Sequence, residues 1–91
     1  MGKEKVSIVT GAASGIGFAV ASAFAEQGMK VVMADVNEEK LKAASSALGC
    51  NYYVADLSSR EACKELVDYT LNTHGKTDIL VNVAGIQNVA A

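Results

Sequence analysis

A glycine-rich segment near the N-terminus gives the first indication of chemistry. Residues 10–17 read Thr-Gly-Ala-Ala-Ser-Gly-Ile-Gly and follow an apolar, β-branched run at residues 6–9. Glycines remove the Cβ atoms that would hold a ligand away from the backbone, and a helix that starts here directs unpaired N–H groups and its positive dipole end outward. Gly11, Gly15 and Gly17 therefore predict a phosphate or pyrophosphate site, although a glycine-rich turn can also be an ordinary tight connection.

Asp35 narrows this prediction to a dinucleotide. It ends the next apolar run, at about the offset from the glycines where an acid holds an adenosine ribose in dinucleotide sites. A carboxylate there accepts hydrogen bonds from both ribose hydroxyls and repels a 2′-phosphate, and neither Val36 nor residues 12–14 supply a cation. The pattern favours NAD over NADP. The alternative is that Asp35 is a solvated aspartate at a strand end. The glycine spacing here is Gly-x-x-x-Gly-x-Gly, which differs from the commoner dinucleotide-binding pattern Gly-x-Gly-x-x-Gly.

Polar residues also follow the third and fourth apolar runs. Asp56 comes after residues 52–55, and Asn82 comes after residues 79–81. If all four runs are parallel strands, their carboxyl ends meet at one edge of the sheet, where open α/β sheets bind ligands. Asp56 is then either an adenine contact or a cap for the following helix, and the sequence leaves both possibilities open.

Three amphipathic segments between these runs predict helices that position the site. The first covers residues 14–27, the second starts at a cap on Asn37 and ends at Gly49, and the third runs to about residue 75 from a Ser58–Glu61 capping box. The buried stripe predicted for the first helix is Ile16, Ala19, Val20, Ala23 and Phe24. Alternation of strands and helices predicts an α/β fold with a parallel sheet and right-handed crossovers.

Composition excludes several classes of protein. The 91 residues carry a net charge of −2 with no cluster of Lys or Arg, so we expect no nucleic acid as a partner. We expect no membrane partner and a cytoplasmic location, because no apolar run approaches the roughly 20 residues of a bilayer span and no signal-peptide segment precedes the first strand. Cys50 and Cys63 lack the spacing of a redox or zinc motif and are interpreted as buried thiols, so no metal site is expected. His74, at the end of the third helix, is interpreted as a dipole partner on the wrong edge of the sheet for catalysis.

Four segments together resemble the N-terminal half of the short-chain dehydrogenases/reductases: residues 10–17, Asp35, residues 56–57 and the Asn-Val-Ala-Gly of residues 82–85. The resemblance covers essentially the whole chain and implies a partial Rossmann fold, with about four strands in the order 3-2-1-4 and helices on both faces. The glycine turn would line the pyrophosphate and ribose, Asp35 would take the ribose hydroxyls, residues 56–57 would flank the adenine, and residues 82–85 would hold the cofactor and the central strand. The predicted cofactor-binding residues are Gly11, Ser14, Gly15, Ile16, Gly17, Asp35, Asp56, Leu57, Asn82, Ala84 and Gly85. One departure is Val83, where the family usually has a second Asn.

The same resemblance implies an NAD-dependent oxidoreductase that acts on an alcohol/ketone pair. Residues 85–90 are similar to the same segment of bacterial 3-hydroxybutyrate dehydrogenases, which implies 3-hydroxybutyrate and acetoacetate as that pair. The family's catalytic Ser and Tyr-x-x-x-Lys have no counterpart here, since none of the three tyrosines has Lys four residues later. We therefore expect no catalytic residue in the chain and no turnover by it alone. A non-catalytic nucleotide-binding or scaffold fragment and a 3-oxoacyl-type reductase remain alternatives, and Asp35 counts against the usual NADP of the latter.

The implied strand order also predicts how the chain associates. The fourth strand would lie at an edge of the sheet, where residues 79–83 would present apolar surface and unpaired backbone groups. We expect low stability and self-association through this strand, or a homo-oligomer.

Overall fold

Strands and helices alternate along the chain in the computed structural model, which describes residues 4–83. The strands are Val6–Thr10 (β1), Lys30–Asp35 (β2), Asn51–Val54 (β3) and Ile79–Asn82 (β4). The helices are Gly15–Glu26 (α1), Glu38–Leu48 (α2) and Arg60–His74 (α3). The predicted alternation is confirmed.

All four strands form one parallel sheet in the order β3-β2-β1-β4. Val9 on β1 lies opposite Met33 on one side and Val81 on the other, and Asp35 lies opposite Val54. The predicted strand order is thus confirmed. Since every strand runs in the same direction, the carboxyl ends, including Thr10 and Asp35, meet at one edge of the sheet.

The core covers both faces of the sheet. Val9 and Met33 pack with α1 and α2 on one face, whereas Ile8 and Val32 pack with Leu66 of α3 on the other. Every residue of β1 is buried, because this strand has neighbours on both sides and helices above and below. Helices on both faces, as predicted, are confirmed.

The buried stripe predicted for α1 is confirmed at Val20 and Phe24, which pack against the core, but its other three residues are exposed. Ile16 is 57% exposed, and Ala19 and Ala23 are also exposed, whereas Gly17 and Ala21 are the buried positions. Since α1 is apolar on nearly all sides, its periodicity does not select one face. Gly17 and Ala21 are the residues of α1 that packing buries, and at Gly17 the helix backbone lies close to the turn that precedes it.

The start predicted for α3 is also wrong. Ser59, not Ser58, is the N-cap, and its Oγ accepts a hydrogen bond from Ala62 N at 3.2 Å. The Ser58 hydroxyl instead donates to Asp56 Oδ1 at 2.7 Å. The aspartate holds Ser58 in the turn before the helix, so the helix begins one residue later than the capping-box spacing predicted.

Polar contacts connect residues at the amino ends of the strands, on the side of the sheet opposite the glycine turn. Val6 N donates to Asp78 Oδ2 and Asp78 N donates to Val6 O, both at 2.8 Å. His74, at the end of α3, has Nε2 3.0 Å from Oδ1 of Asn51, where β3 begins. This confirms that His74 lies away from the carboxyl ends of the strands. Burial raises the pKa of the half-buried Cys50 thiol.

None of the helices in residues 4–83 is long and apolar enough to cross a membrane.

Candidate functional site

The glycine turn has a backbone that side chains would disturb. Gly11 and Gly15 have φ values of 63° and 62°, in the left-handed region where a Cβ is unfavourable. Gly17 has a different constraint, because a Cβ added there would lie 2.0 Å from Gly11 O. The three predicted glycines therefore shape one compact turn that packs directly against the start of α1.

The N-terminus of α1 is open to an anion. Its N-cap, Ser14, has an extended backbone and makes no side-chain cap, and Phe18 N donates to Ser14 O at 3.5 Å. The N–H groups of residues 15–17 precede this first helical bond and have no acceptor within the helix. By contrast, α2 is capped by Asn37 and α3 by Ser59, and both have acidic residues in their first turns. Among the three helices of residues 4–83, α1 alone leaves its positive end without a cap or carboxylate.

Two hydrogen bonds attach the turn to the end of β2. Ala12 N donates to Ala34 O at 3.1 Å, and Ala13 N donates to Asp35 Oδ2 at 3.0 Å. Asp35 Oδ1 also accepts from Val36 N at 2.7 Å. The structure therefore places the predicted ribose-binding carboxylate directly beside the predicted phosphate site.

A groove of about 390 Å³ opens next to this turn, between the start of α1 and one side of α2. Ala13, Ser14 and Phe18 line one side, and residues of α2, including Lys40, line the other. Its lining is mostly apolar, and Lys40 supplies a cation. Lys40 lies five residues after Asp35 and outside the glycine turn, so neither local pattern indicated it as a residue of the site.

Asn82 is connected to the glycine motif through Thr10. The Thr10 hydroxyl lies 3.0 Å from Asn82 Oδ1 and 3.3 Å from Val81 O, so it links the carboxyl ends of β1 and β4. Thr10 is not among the predicted cofactor-binding residues, although its place at the start of the glycine motif indicates that it lies close to the site. Val83 is 1% exposed and packs in the core on the α1 side, which accounts for an apolar residue at this position. The predictions for Ala84 and Gly85 lie outside the described residues.

Asp56 serves the turn before α3. Its Oδ1 accepts from both the hydroxyl and the N–H of Ser58, at 2.7 and 3.0 Å, and these bonds hold the pKa of Asp56 below its usual range. The carboxylate is exposed, whereas Leu57 is half-buried against the core on the α3 side. Asp56 therefore holds the turn before α3 but does not cap the helix, whose N-cap is Ser59. Contact of residues 56–57 with an adenine stays a prediction.

Comparison with known proteins places this geometry among related enzymes. The family model described as short chain dehydrogenase matches residues 5–91. Secoisolariciresinol dehydrogenase of Forsythia intermedia is 39% identical over 87 residues, which are 92% of this chain and 31% of the relative. D-beta-hydroxybutyrate dehydrogenase of Cupriavidus necator is 37% identical over 92 residues, or 96% of this chain and 36% of that protein. A 3-oxoacyl-(acyl-carrier-protein) reductase of Rickettsia prowazekii is 45% identical over 84 residues, or 90% of this chain and 33% of that reductase.

Solved structures show the same likeness. A short chain dehydrogenase from Mycobacterium smegmatis superimposes with a TM-score of 0.84 and 34% identity, over 88% of this chain and 36% of that one. The chain thus spans about a third of the length of the relatives it matches.

Proposed function

Because this chain belongs to the short chain dehydrogenase family, we propose that it is the NAD-binding part of an oxidoreductase that acts on an alcohol/ketone pair. The observation that carries the proposal is the uncapped N-terminus of α1. It directly follows a turn whose glycines have left-handed backbone conformations, and this turn is bonded to Asp35. A phosphate group and a ribose diol on one ligand would satisfy both features.

Each part of the site has a role in this proposal. The N–H groups of residues 15–17 and the Ser14 hydroxyl bind the pyrophosphate. These N–H groups have no acceptor within α1, and the Ser14 hydroxyl does not cap the helix. Asp35 accepts hydrogen bonds from the adenosine ribose, and Ile16, 57% exposed at the start of α1, offers apolar contact. The bound cofactor would supply the hydride acceptor or donor. Thr10 holds β1 and β4 together at this edge, which keeps Asn82 next to the site.

Asp35 and Lys40 point to different cofactors. The Asp35 carboxylate favours a free 2′-hydroxyl over a 2′-phosphate by charge, and this is our reason for proposing NAD. Lys40 lines the neighbouring groove and could pair with a 2′-phosphate, which favours an NADP-dependent 3-oxoacyl-type reductase as the second candidate. The carboxylate borders the turn directly and Lys40 is exposed, so we give Asp35 the greater weight.

For the substrate, we propose 3-hydroxybutyrate and acetoacetate. Two observations support this pair: the likeness of residues 85–90 to the same segment of 3-hydroxybutyrate dehydrogenases and the D-beta-hydroxybutyrate dehydrogenase among the relatives. Hydride transfer to a ketone also needs a proton donor. None of the tyrosines in the chain has Lys four residues later, so we propose that these 91 residues bind the cofactor without turning over substrate.

Titration calorimetry with NAD and NADP tests the proposal on the wild-type chain, Asp35→Ala and Lys40→Gln. We expect NAD to bind more tightly than NADP, and Asp35→Ala to abolish most of the NAD binding. Asp68→Ala, an exposed aspartate on α3 across the sheet, is the matched control and should bind NAD like the wild type. If NADP binds more tightly than NAD, and this preference disappears in Lys40→Gln, the result would support the 3-oxoacyl-type reductase. If neither nucleotide binds, the result would support a scaffold.

A further inference from the structure

Both oxygens of the Asp35 carboxylate accept hydrogen bonds from the backbone. Oδ2 accepts from Ala13 N at 3.0 Å, while Oδ1 accepts from Val36 N at 2.7 Å and from Asn37 N at 3.4 Å. Val36 and Asn37 directly follow β2, but Ala13 lies 22 residues earlier, in the glycine turn. One side chain therefore connects two loops at the edge of the site.

The bond to Ala13 continues the attachment between the turn and β2. Pairing of β1 with β2 ends where Thr10 lies opposite Ala34, and the next contacts are Ala12 N to Ala34 O and then Ala13 N to Asp35 Oδ2. The last contact has an ionised acceptor, which makes it about twice as strong as a neutral hydrogen bond. It also means that Ala13 N–H is already paired, so in our proposal it is not among the donors to the phosphate, unlike the N–H groups of residues 15–17 and the Ser14 hydroxyl.

We propose that Asp35 is a positioning residue for the glycine turn in addition to its contact with the ribose. Held by N–H groups from two loops, the carboxylate cannot rotate away from a 2′-phosphate without releasing the turn. The preference between cofactors and the shape of the phosphate site therefore depend on the same side chain. The ribose contact rests on the proposed function, whereas the positioning of the turn is a property of the unliganded chain.

An amide in place of the carboxylate cannot keep this arrangement. Asp35→Asn has one acceptor oxygen, so whichever way the amide is turned, its NH2 group faces either Ala13 N–H or Val36 N–H. At least one loop loses its partner. We expect a substitution made to change cofactor preference to weaken every ligand that uses the phosphate site, including ligands without ribose hydroxyls.

Calorimetry with ADP and with 2′,3′-dideoxy-ADP separates the two roles. In Asp35→Asn we expect the affinity for dideoxy-ADP, which has no ribose hydroxyl for the carboxylate, to fall about tenfold relative to the wild-type chain. Asp68→Asn serves as the control and should leave both affinities unchanged. If Asp35→Asn weakens ADP but not dideoxy-ADP, Asp35 contacts only the ribose and the positioning role is wrong.

A second measurement needs no nucleotide, so it remains decisive if the chain binds none and the proposed function fails. In the wild-type chain, NMR should show scalar coupling across the hydrogen bond between the Ala13 amide nitrogen and the Asp35 carboxyl carbon. Exchange of Ala13 N–H with solvent should be at least tenfold faster in Asp35→Asn, while exchange of Ile8 N–H in β1 stays slow and reports an intact fold. No coupling, together with wild-type exchange at the rate of an exposed amide, would overturn the proposal.

Discussion

Replacement of Gly17 by alanine tests whether close approach between α1 and the glycine turn shapes the site. The new Cβ would lie 2.0 Å from Gly11 O and 2.6 Å from the Gly11 carbonyl carbon. Ordinary van der Waals contact of a Cβ begins at 3.4 Å, so the start of the helix has to move by roughly 1.4 Å. The obstacle is backbone, which cannot turn aside as a flexible side chain can.

The expected loss of stability follows from two opposing terms. Alanine in a helix is favoured over glycine by about 0.5–1 kcal/mol. Overpacking costs about 1–3 kcal/mol, and backbone neighbours place this substitution at the upper end. We expect a net loss of about 2 kcal/mol, and since 1 kcal/mol shifts the Tm of a domain this size by about 4–8 °C, the Tm should fall by about 8–16 °C. Affinity for NAD should fall more than tenfold, because the N–H groups of residues 15–17 move with the helix.

Circular dichroism melts and NAD titrations would measure both effects, with Gly28→Ala as the control. Gly28 has φ 87° and its added Cβ would meet no atom within 4 Å. Alanine there costs only the left-handed backbone, about 1–2 kcal/mol, and leaves the site intact. The control should therefore lose stability but keep its affinity for NAD. If Gly17→Ala melts at or above the wild-type temperature and binds NAD equally well, our account of the turn is refuted.

Other contacts give further expected outcomes. The hydrogen bond from Val6 N–H lowers the pKa of Asp78 in the folded chain. The ionised carboxylate therefore stabilises the fold fully above its pKa in the unfolded chain, about 3.9. This stabilisation is lost as pH falls through the pKa of Asp78 in the folded chain. The urea midpoint should then decline less steeply below about pH 5 in Asp78→Asn than in wild type. Asn37→Ala should lower the free energy of unfolding by about 1 kcal/mol in urea titrations. Ser14→Ala should leave that energy unchanged but weaken NAD binding, because the Ser14 hydroxyl makes no cap; a loss of stability instead would show a hidden cap. Leu80, 59% exposed on the edge strand β4, should promote the self-association that we propose for this strand. Leu80→Lys should reduce it in sedimentation experiments, and a monomeric wild-type chain would contradict that proposal.

The fold could be predicted from local features of the sequence. Short β-branched runs separated by amphipathic segments determine the alternation of strands and helices, and the glycines mark the turn between β1 and α1. The carboxyl ends of parallel strands necessarily share one edge, so the neighbourhood of Asp35 and the turn also followed from the sequence. Our proposal of NAD extends this pattern from the charge of the Asp35 carboxylate, and our proposal of the substrate extends it through likeness to relatives.

Local patterns were insufficient where several choices had similar local energies. The apolar residues of α1 surround the helix, and packing alone decided that Gly17 and Ala21 face the sheet. Ser58 and Ser59 are both residues that favour an N-cap. Ser59 caps α3 because the Ser58 hydroxyl is hydrogen-bonded to Asp56.

What the sequence by itself determined is the order of the elements and the residue types at the edge of the sheet. Tertiary structure alone decided which atoms meet there: Asp35 with the N–H of Ala13, Thr10 with Asn82, and Lys40 with the groove beside the turn. The physical reason is that hydrogen bonds between residues 22 or 72 positions apart depend on how the strands and helices pack. Sequence periodicity specifies a residue's place within its own element, whereas its partner is chosen by the element packed beside it.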